Sequence, residues 1–348
     1  MTSGPEDAVS ETPHTERSPS ACEVAVVVLN WRNAGETIEC IRHVCSLFGS
    51  NWRLIICDNG SADGSLERIR EEMIAQLSTG RVGSTVVGLS RDDLVPKLSA
   101  EDRLVVVDNR ENIGFAAGNN VGIRIALADP ACLFVWILNN DTRVEPGALA
   151  ALVAQARLDP QAGIVGSTLV YNDRPDIVQS LGGSLFNRWT CTSHYYCEGM
   201  NLTELRSKDA SDMIDYVAGA SMLLTRRFLE TVGCMSEDYF LYYEEIDWAL
   251  RARAAGFRLR HAPDSIVRHV ESATIGFKRG NIQFGGIGDF YQMRNRLLFA
   301  RKNMPTRVPF VVAGLLLILA AAIVRGRWKR VTMMLAPRFW FSRGRVHA

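Results

Sequence analysis

The sequence predicts an α/β fold built on a mostly parallel sheet flanked by helices. Short apolar runs, "VAVVVL" (24–29), "LIICD" (54–58), "LVVVD" (104–108) and "LFVWIL" (133–138), alternate with stretches of helical periodicity, as buried strands joined by crossover helices do. Each run ends abruptly in amides or carboxylates. At 348 residues the chain is long enough to bury a full core.

Taken in order, residues 1–22 are polar, Pro/Ser-rich and acidic and read as a disordered leader without the apolar stretch of a signal peptide. Between the first two strands Ile38, Ile41, Val44, Cys45 and Phe48 recur at helical spacing, and a second helix is expected over Ala116–Ala128. Residues 73–103, punctuated by Gly80, Gly83, Gly88 and Pro96, break the rhythm and read as an insertion or long loop. Beyond Gly163 come "GIVGSTLVY" and "YVAGASMLL", then "FRLRHA" and "SIVRHV" flanking a turn at Pro263-Asp264. The main domain thus covers 23–303.

Residues 304–348 form a basic, apolar tail, and from Arg301 onward there is no Asp or Glu. Its 17 uncharged residues 308–324 would reach ~25 Å as a helix, a little short of a ~30 Å hydrocarbon core. That length suits a re-entrant or interfacial helix, or one crossing a thinned bilayer. Aromatics interleave with basic residues in "RGRWKR" and "PRFWFSRGR", as at a membrane surface. The formal net charge of +1 argues against a general nucleic-acid binder. The eight cysteines show no C-x-x-C or zinc-ligand spacing and read as small buried hydrophobes.

The strand ends carry the functional signal. Asn30, Asp58 within "CDNGSADGS", Asp108-Asn109 before "ENIGFAAGNN", and Asn139 to Asp141 would share one rim, where open α/β sheets bind ligands. The other reading of each is a turn or helix cap. An Asp at a strand end can accept hydrogen bonds from a nucleoside's base or ribose. Gly114 and Gly118 would permit close backbone approach to a ribose or phosphate. Asp141 could hold Mg²⁺ or Mn²⁺ through oxygen. No P-loop or G-x-G-x-x-G is present, which disfavours an ATPase or a dinucleotide oxidoreductase. In "YYEEIDWALRARAAGF", Ile246, Ala249, Leu250 and Ala254 lie at helical spacing, and the acids precede the bases as helix electrostatics favours. That order leaves three acids beside a Tyr-Tyr pair unexplained. An acceptor pocket could use them for stacking and deprotonation.

In order, "VVVLNW", "CDNGSADGS", "ENIGFAAGNN", "WILNNDT", "YVAGASMLL", "EDYFLYYEEIDWALRARAAGF" and "YQMRNRLLFARKN" resemble glycosyltransferase family 2, near its rhamnosyltransferase-like branch. The resemblance implies a GT-A (Rossmann-like) fold and inverting transfer of a sugar from a nucleotide diphosphate donor. It places Asn30, Asp58, Asn112, Gly114, Asn119 and Asn140 on the donor side, Asp141 and His269 at a divalent metal, and the general base on Glu245. Tyr243, Glu244 and Asp247 become acceptor-side candidates. Asn139 stands where many relatives carry the first carboxylate of a D-x-D metal motif. The expected function is a hexosyltransferase using dTDP-rhamnose with Mg²⁺ or Mn²⁺. It would act on a cell-envelope glycan or lipid-linked acceptor at the cytoplasmic face of the membrane. The alternative is a non-catalytic nucleotide-sugar-binding scaffold of the same fold.

Overall fold

The structure, a computed structural model, describes residues 22–47, 52–78, 86–90, 98, 102–205, 208–270, 277–278, 281–282 and 284–341. The leader expected over 1–22 (all but Cys22), the helix position Phe48, and the end of the tail from residue 342 lie outside them.

The first half runs β1 (Val24–Asn30), α1 (Ala34–Leu47), β2 (Trp52–Asp58), α2 (Ser65–Ser78), β3 (Val86–Ser90), β4 (Leu104–Asp108), α3 (Phe115–Leu127), β5 (Phe134–Asn139), β6 (Thr142–Val144) and α4 (Ala148–Leu158). It continues through β7 (Ala162–Tyr171), β8 (Arg174–Leu181), β9 (Gly183–Asn187), β10 (Thr192–Tyr195), α5 (Leu202–Leu205), β11 (Tyr216–Val217), β12 (Ser221–Thr225), α6 (Arg226–Val232), α7 (Glu244–Ala254) and β13 (Arg258–His269). Four helices close the described chain: α8 (Ile287–Asn303), α9 (Val308–Val324), α10 (Trp328–Leu335) and α11 (Pro337–Phe341).

The main sheet has the order β3-β4-β2-β1-β5-β12-β7-β13-β6, with β8 paired to β7. β1, β2, β4 and β5 are parallel, as expected. Alternation along β1 explains why these strands are apolar throughout. Val24, Val26 and Val28 face a layer containing α1, α2 and α4, while Ala25 and Val27 face α3, α6 and α7. With helices on both faces, nearly every position in these strands is buried, and only their ends are half-exposed.

β12 runs antiparallel to both β5 and β7, and β13 runs parallel to β7. The end of β13 and the start of β12 therefore reach the same rim as the ends of β1, β2, β4 and β5. Two expectations are corrected. The 73–103 stretch supplies the end of α2 and the edge strand β3, paired in parallel on β4, with the rest of it, apart from Leu98 and Asp102–Arg103, outside the described residues. And "FRLRHA" and "SIVRHV" form one strand, β13, in which the register jumps from Ala262 to Ile266. Pro263 has no N–H to give the ladder, so the chain bulges past it instead of turning back.

All eight cysteines are free and none is exposed. Burial pushes the Cys40 and Cys57 thiols up to about 12, the behaviour of inert core residues.

α3 lies unusually close to the sheet because it meets it through glycine. A Cβ on Gly118 would fall 2.5 Å from Leu29 Cδ1, and one on Gly122 2.5 Å from Val27 Cγ1. Gly122→Ala gains about 1 kcal/mol of helix propensity, but overpacking of this kind costs about 1–3 kcal/mol. Net destabilisation is expected in urea unfolding, and the double variant Gly122→Ala/Val27→Ala should recover part of the overpacking cost.

Candidate functional site

The residues expected on the donor side form a network of buried amides and hydroxyls at the ends of β1 and β2. Asn30 Nδ2 donates to Asp58 Oδ1 at 2.6 Å, and Thr37 Oγ1 donates to Asn30 Oδ1 at 2.7 Å. Asp58 Oδ2 accepts from the Ser61 amide at 2.8 Å, and Asn140 Nδ2 donates to Thr37 Oγ1 at 2.9 Å. The register sets Asn30 beside Asp58, Asp58 beside Asp108, and Leu29 beside Asn139. A carboxylate has about four acceptor sites, so Asp58 keeps capacity for an incoming N–H or O–H.

The neighbouring loop is built from amides. Asn109 Nδ2 donates to Asn59 Oδ1 at 2.9 Å, Asn59 Nδ2 to the Gly114 carbonyl at 3.0 Å, and the Gly114 amide to Asn112 Oδ1 at 3.0 Å. Asn112 thus shapes the loop. Asn119 Nδ2 donates to the Phe115 carbonyl at 3.0 Å. Its Oδ1 and that of Asn109 are buried without a protein partner, so a polar ligand or water would complete them.

The glycines need a correction. A Cβ on Gly114 (φ 91°) would lie 2.5 Å from the Phe240 carbonyl oxygen, and one on Gly118 against Leu29 and Asn59. The protein itself fills the room they provide.

Asp141 and His269, 128 positions apart in the sequence, face each other across the rim. His269 Nε2 is 3.1 Å from Asp141 Oδ1, and His269 Nδ1 donates to Gln179 Oε1 at 3.0 Å. A neutral imidazole that donates from Nδ1 presents a lone pair at Nε2. Two acceptors so close need a proton or a cation between them. An oxygen and a nitrogen ligand oriented by Gln179 fit a divalent metal. Among the described residues no third His, Cys, Asp or Glu joins them. The remaining positions suit water and diphosphate oxygens, as is usual for Mg²⁺.

The third part is the start of α7. Tyr242 and Tyr243 both have positive φ, 66° and 77°, an expensive conformation for aromatic residues. Buried Asn295 of α8 holds the turn by donating to the Leu241 and Tyr242 carbonyls at 2.7 and 3.2 Å. The turn delivers Glu245 onto the bend before β12, where a Cβ on Gly219 would sit 2.3 Å from Glu245 Oε1. The next carbonyl, that of Ala220, accepts from the Asn139 amide at 3.0 Å. Glu245 is thereby tied to the segment carrying Asn140 and Asp141.

Burial pushes the Glu245 carboxyl up to about 7, against an ordinary 4.5. Glu244 is 2% exposed, and its Oε2 has no protein partner. Burial first, then the charge of Glu245, holds its carboxyl well above the usual range. Tyr216 of β11 closes this side, its phenol pushed up to about 12 by burial and then by Glu245.

Two acceptor-side candidates do not face this space. Tyr243 is buried and donates to the Cys191 carbonyl at 2.6 Å. Asp247 pairs with Arg251 at 2.8 Å and accepts from Asn303 at 3.3 Å. Both hold α7 in place. Sequence reasoning missed Thr37, Gln179, Tyr216 and Gly219, of which Tyr216 and Gly219 stood in a motif already singled out, "YVAGASMLL".

Comparison with known proteins bears on the family and the fold. The model of glycosyltransferase-like family 2 matches residues 20–281. An uncharacterised protein of Mycobacterium tuberculosis is 28% identical over 186 residues, covering 51% of this chain and 59% of that protein. The dTDP-rhamnosyl transferase RfbF of Shigella flexneri is 23% identical over 222 residues, covering 60% of this chain and 67% of the relative. The crystal structure of GalNAc-T7 with UDP, GalNAc and Mn²⁺ superposes with a TM-score of 0.56 at 14% identity, over 80% of this chain and 48% of that one. That likeness bears on the fold alone, and the GT-A-like α/β fold expected from the sequence is borne out. With the family model spanning most of its length, the chain belongs to glycosyltransferase family 2.

Proposed function

We propose that the chain is an inverting hexosyltransferase. It moves a deoxyhexose such as rhamnose from a dTDP-type donor to a hydroxyl of a cell-envelope glycan or lipid-linked acceptor. The observation that carries this reading is the placement of Glu245 against Gly219, one residue from the carbonyl that accepts from Asn139, itself two residues before the Asp141 that pairs with His269. A base and a cation site then flank one rim. The name of the Shigella relative supports the choice of sugar. The exposed apolar helix α9 supports a membrane-linked acceptor, which we place at the cytoplasmic face of the membrane. In this reading 23–303 is the catalytic domain and 304–348 the membrane-associated tail.

Asn30 and Asp58 hold the nucleoside, beside the loop of Asn112, Gly114 and Asn119, and Asn140 links them to the metal side. Glu245, ionised, takes the proton of the acceptor hydroxyl as that oxygen bonds to the anomeric carbon. The bond from that carbon to the diphosphate breaks on the opposite face, so the configuration inverts. Asp141 and His269 would hold a divalent ion, which would neutralise the charge gathering on the departing diphosphate.

Glu245 works only when ionised, so kcat/KM should rise through an apparent pKa near 7. Glu244→Gln should leave that limb in place, because burial and not Glu244 raises the group. Glu245→Gln should lower transfer by about 10²–10⁴-fold while leaving nucleotide-induced thermal shifts unchanged; full activity in that variant removes Glu245 from the mechanism.

The same burial has a stability consequence. A carboxyl whose folded pKa is raised stabilises the native state below the unfolded value near 4.5, and this contribution is lost as pH rises through about 7. Glu245→Gln should therefore melt at a higher temperature than the wild type at pH 8, with the gap closing at pH 5.

For the metal, Gln179→Ala should weaken Mn²⁺ binding in the presence of a nucleoside diphosphate by about 10–100-fold. Asp141→Ala should remove it, as read by titration calorimetry. Unaltered Mn²⁺ affinity in Asp141→Ala would contradict the assignment.

A further inference from the structure

Helix α9 has two unlike faces. Val311, Leu315 and Ala322 are buried, and at about 100° per residue they form one stripe. Val311 and Leu315 pack with Leu297, Phe299 and Ala300 of α8 and with Met333 and Met334 of α10. Phe310, Leu316, Leu317, Ile323 and Val324 point the other way, with Leu317 72% and Val324 87% exposed. Among the described residues, Pro305–Val324 is the one helical stretch long and apolar enough to cross a membrane.

The packing keeps this helix flat on the protein. α8 and α9 each have 17 residues and are joined by the turn Pro305–Arg307. Midway, a Cβ on Gly314 would lie 3.8 Å from Arg296 Nη2 of α8. At the far end Arg327 stacks 3.6 Å over the Phe284 ring, and Arg330 pairs with Asp289 at 2.6 Å. α8 carries Asp289, Arg294 and Asn295 buried in the protein. Crossing a bilayer would draw those groups toward hydrocarbon along with α9, which is costly.

A second element joins the exposed face. Trp189, at the tip between β9 and β10, is 51% exposed. Its ring meets Phe310 edge-on at 5.1 Å, and the Arg307 guanidinium lies 3.4 Å above it. Arg296 Nε donates to the neighbouring Thr190 carbonyl at 2.6 Å, fixing the tip to α8. The three strands β10-β9-β11 form one small sheet, and β11 carries Tyr216 beside Glu245. Around the apolar face lie exposed Arg325, Lys329, Arg338 and Trp328, and no acid occurs in the sequence beyond Arg301. Apolar surface ringed by aromatics and cations is complementary to an anionic lipid surface.

We infer that this face lies in the plane of an anionic bilayer, with Trp189 and Phe310 inserted as a lip beside α9, so that the β10-β9-β11 sheet is held against the lipid. The inference rests on the proposed transferase reading only in taking that sheet as the acceptor side. Trp189 then sets where the acceptor side of Glu245 meets the membrane.

The test is flotation of the full chain with vesicles of phosphatidylcholine alone and of phosphatidylcholine with phosphatidylglycerol. Binding is expected to the second, to weaken with salt, and to fall about tenfold in Trp189→Ser/Phe310→Ser. Leu317→Glu should abolish it with an unchanged circular dichroism spectrum. With acyl chains carrying bromine, tryptophan quenching should drop in Trp189→Phe. Any of four results would overturn the inference: no flotation with either vesicle; unchanged binding of the lip variant; resistance of the membrane-bound protein to alkaline carbonate extraction, which marks a spanning helix; or a lipid-free dimer that Leu317→Glu dissociates, which makes a second copy the occupant. A chain that floats but transfers no sugar would sink the proposed reaction and leave the docking face standing, so the two failures are distinguishable.

Discussion

The register of the parallel strands is the constraint on which the rest depends. Because β1, β2 and β4 end level, Asn30, Asp58 and Asp108 line up, and β5 ends one step away at Asn139. A slip of one residue would turn each of these side chains to the opposite face of the sheet. The slip is opposed from both sides, since the apolar strand positions alternate between the two packed layers. Fixing the core therefore also fixes the polar rim.

That rim gathers costly features which the core holds in place. Two consecutive aromatic residues keep positive φ before α7. Two adjacent carboxyls are buried there, one with an oxygen that meets no protein partner. Asn295, itself oriented by a 2.6 Å bond from Arg294, offsets part of this by clamping the turn. Strain and unsatisfied polar groups gathered at one place are what pre-organisation for chemistry looks like in a static structure.

α8 links that site to the surface of the molecule. Its Asn295 holds the turn that carries Glu245, and its next residue, Arg296, holds the tip bearing Trp189. Through α9 the same helix presents an apolar face outward. Neighbouring residues of one helix thus hold both the turn before Glu245 and the tip that carries Trp189.

Much of this is legible in the sequence because it rests on local chemistry. Apolar runs capped by Asn or Asp mark the strands and their rim, and "YYEEIDW" marks the start of a helix loaded with acids. Where reading along the chain fails, the deciding contact comes from elsewhere. Gly118 reads as room for a ligand, but in the fold it admits Leu29. Pro263 reads as a turn, but β7 carries the strand past it. Tyr243 and Asp247 lie in the same motif as Glu245, yet their hydroxyl and carboxylate are engaged by Cys191 and by Arg251 and Asn303. The sequence by itself determined which segments become strands and helices, and which polar groups end them, since periodicity and capping act over a few residues. Only the tertiary structure decided that Asp141 meets His269, that Glu245 rests on Gly219, and that Trp189 joins α9, because each pairing closes a long loop and depends on the packing of everything between.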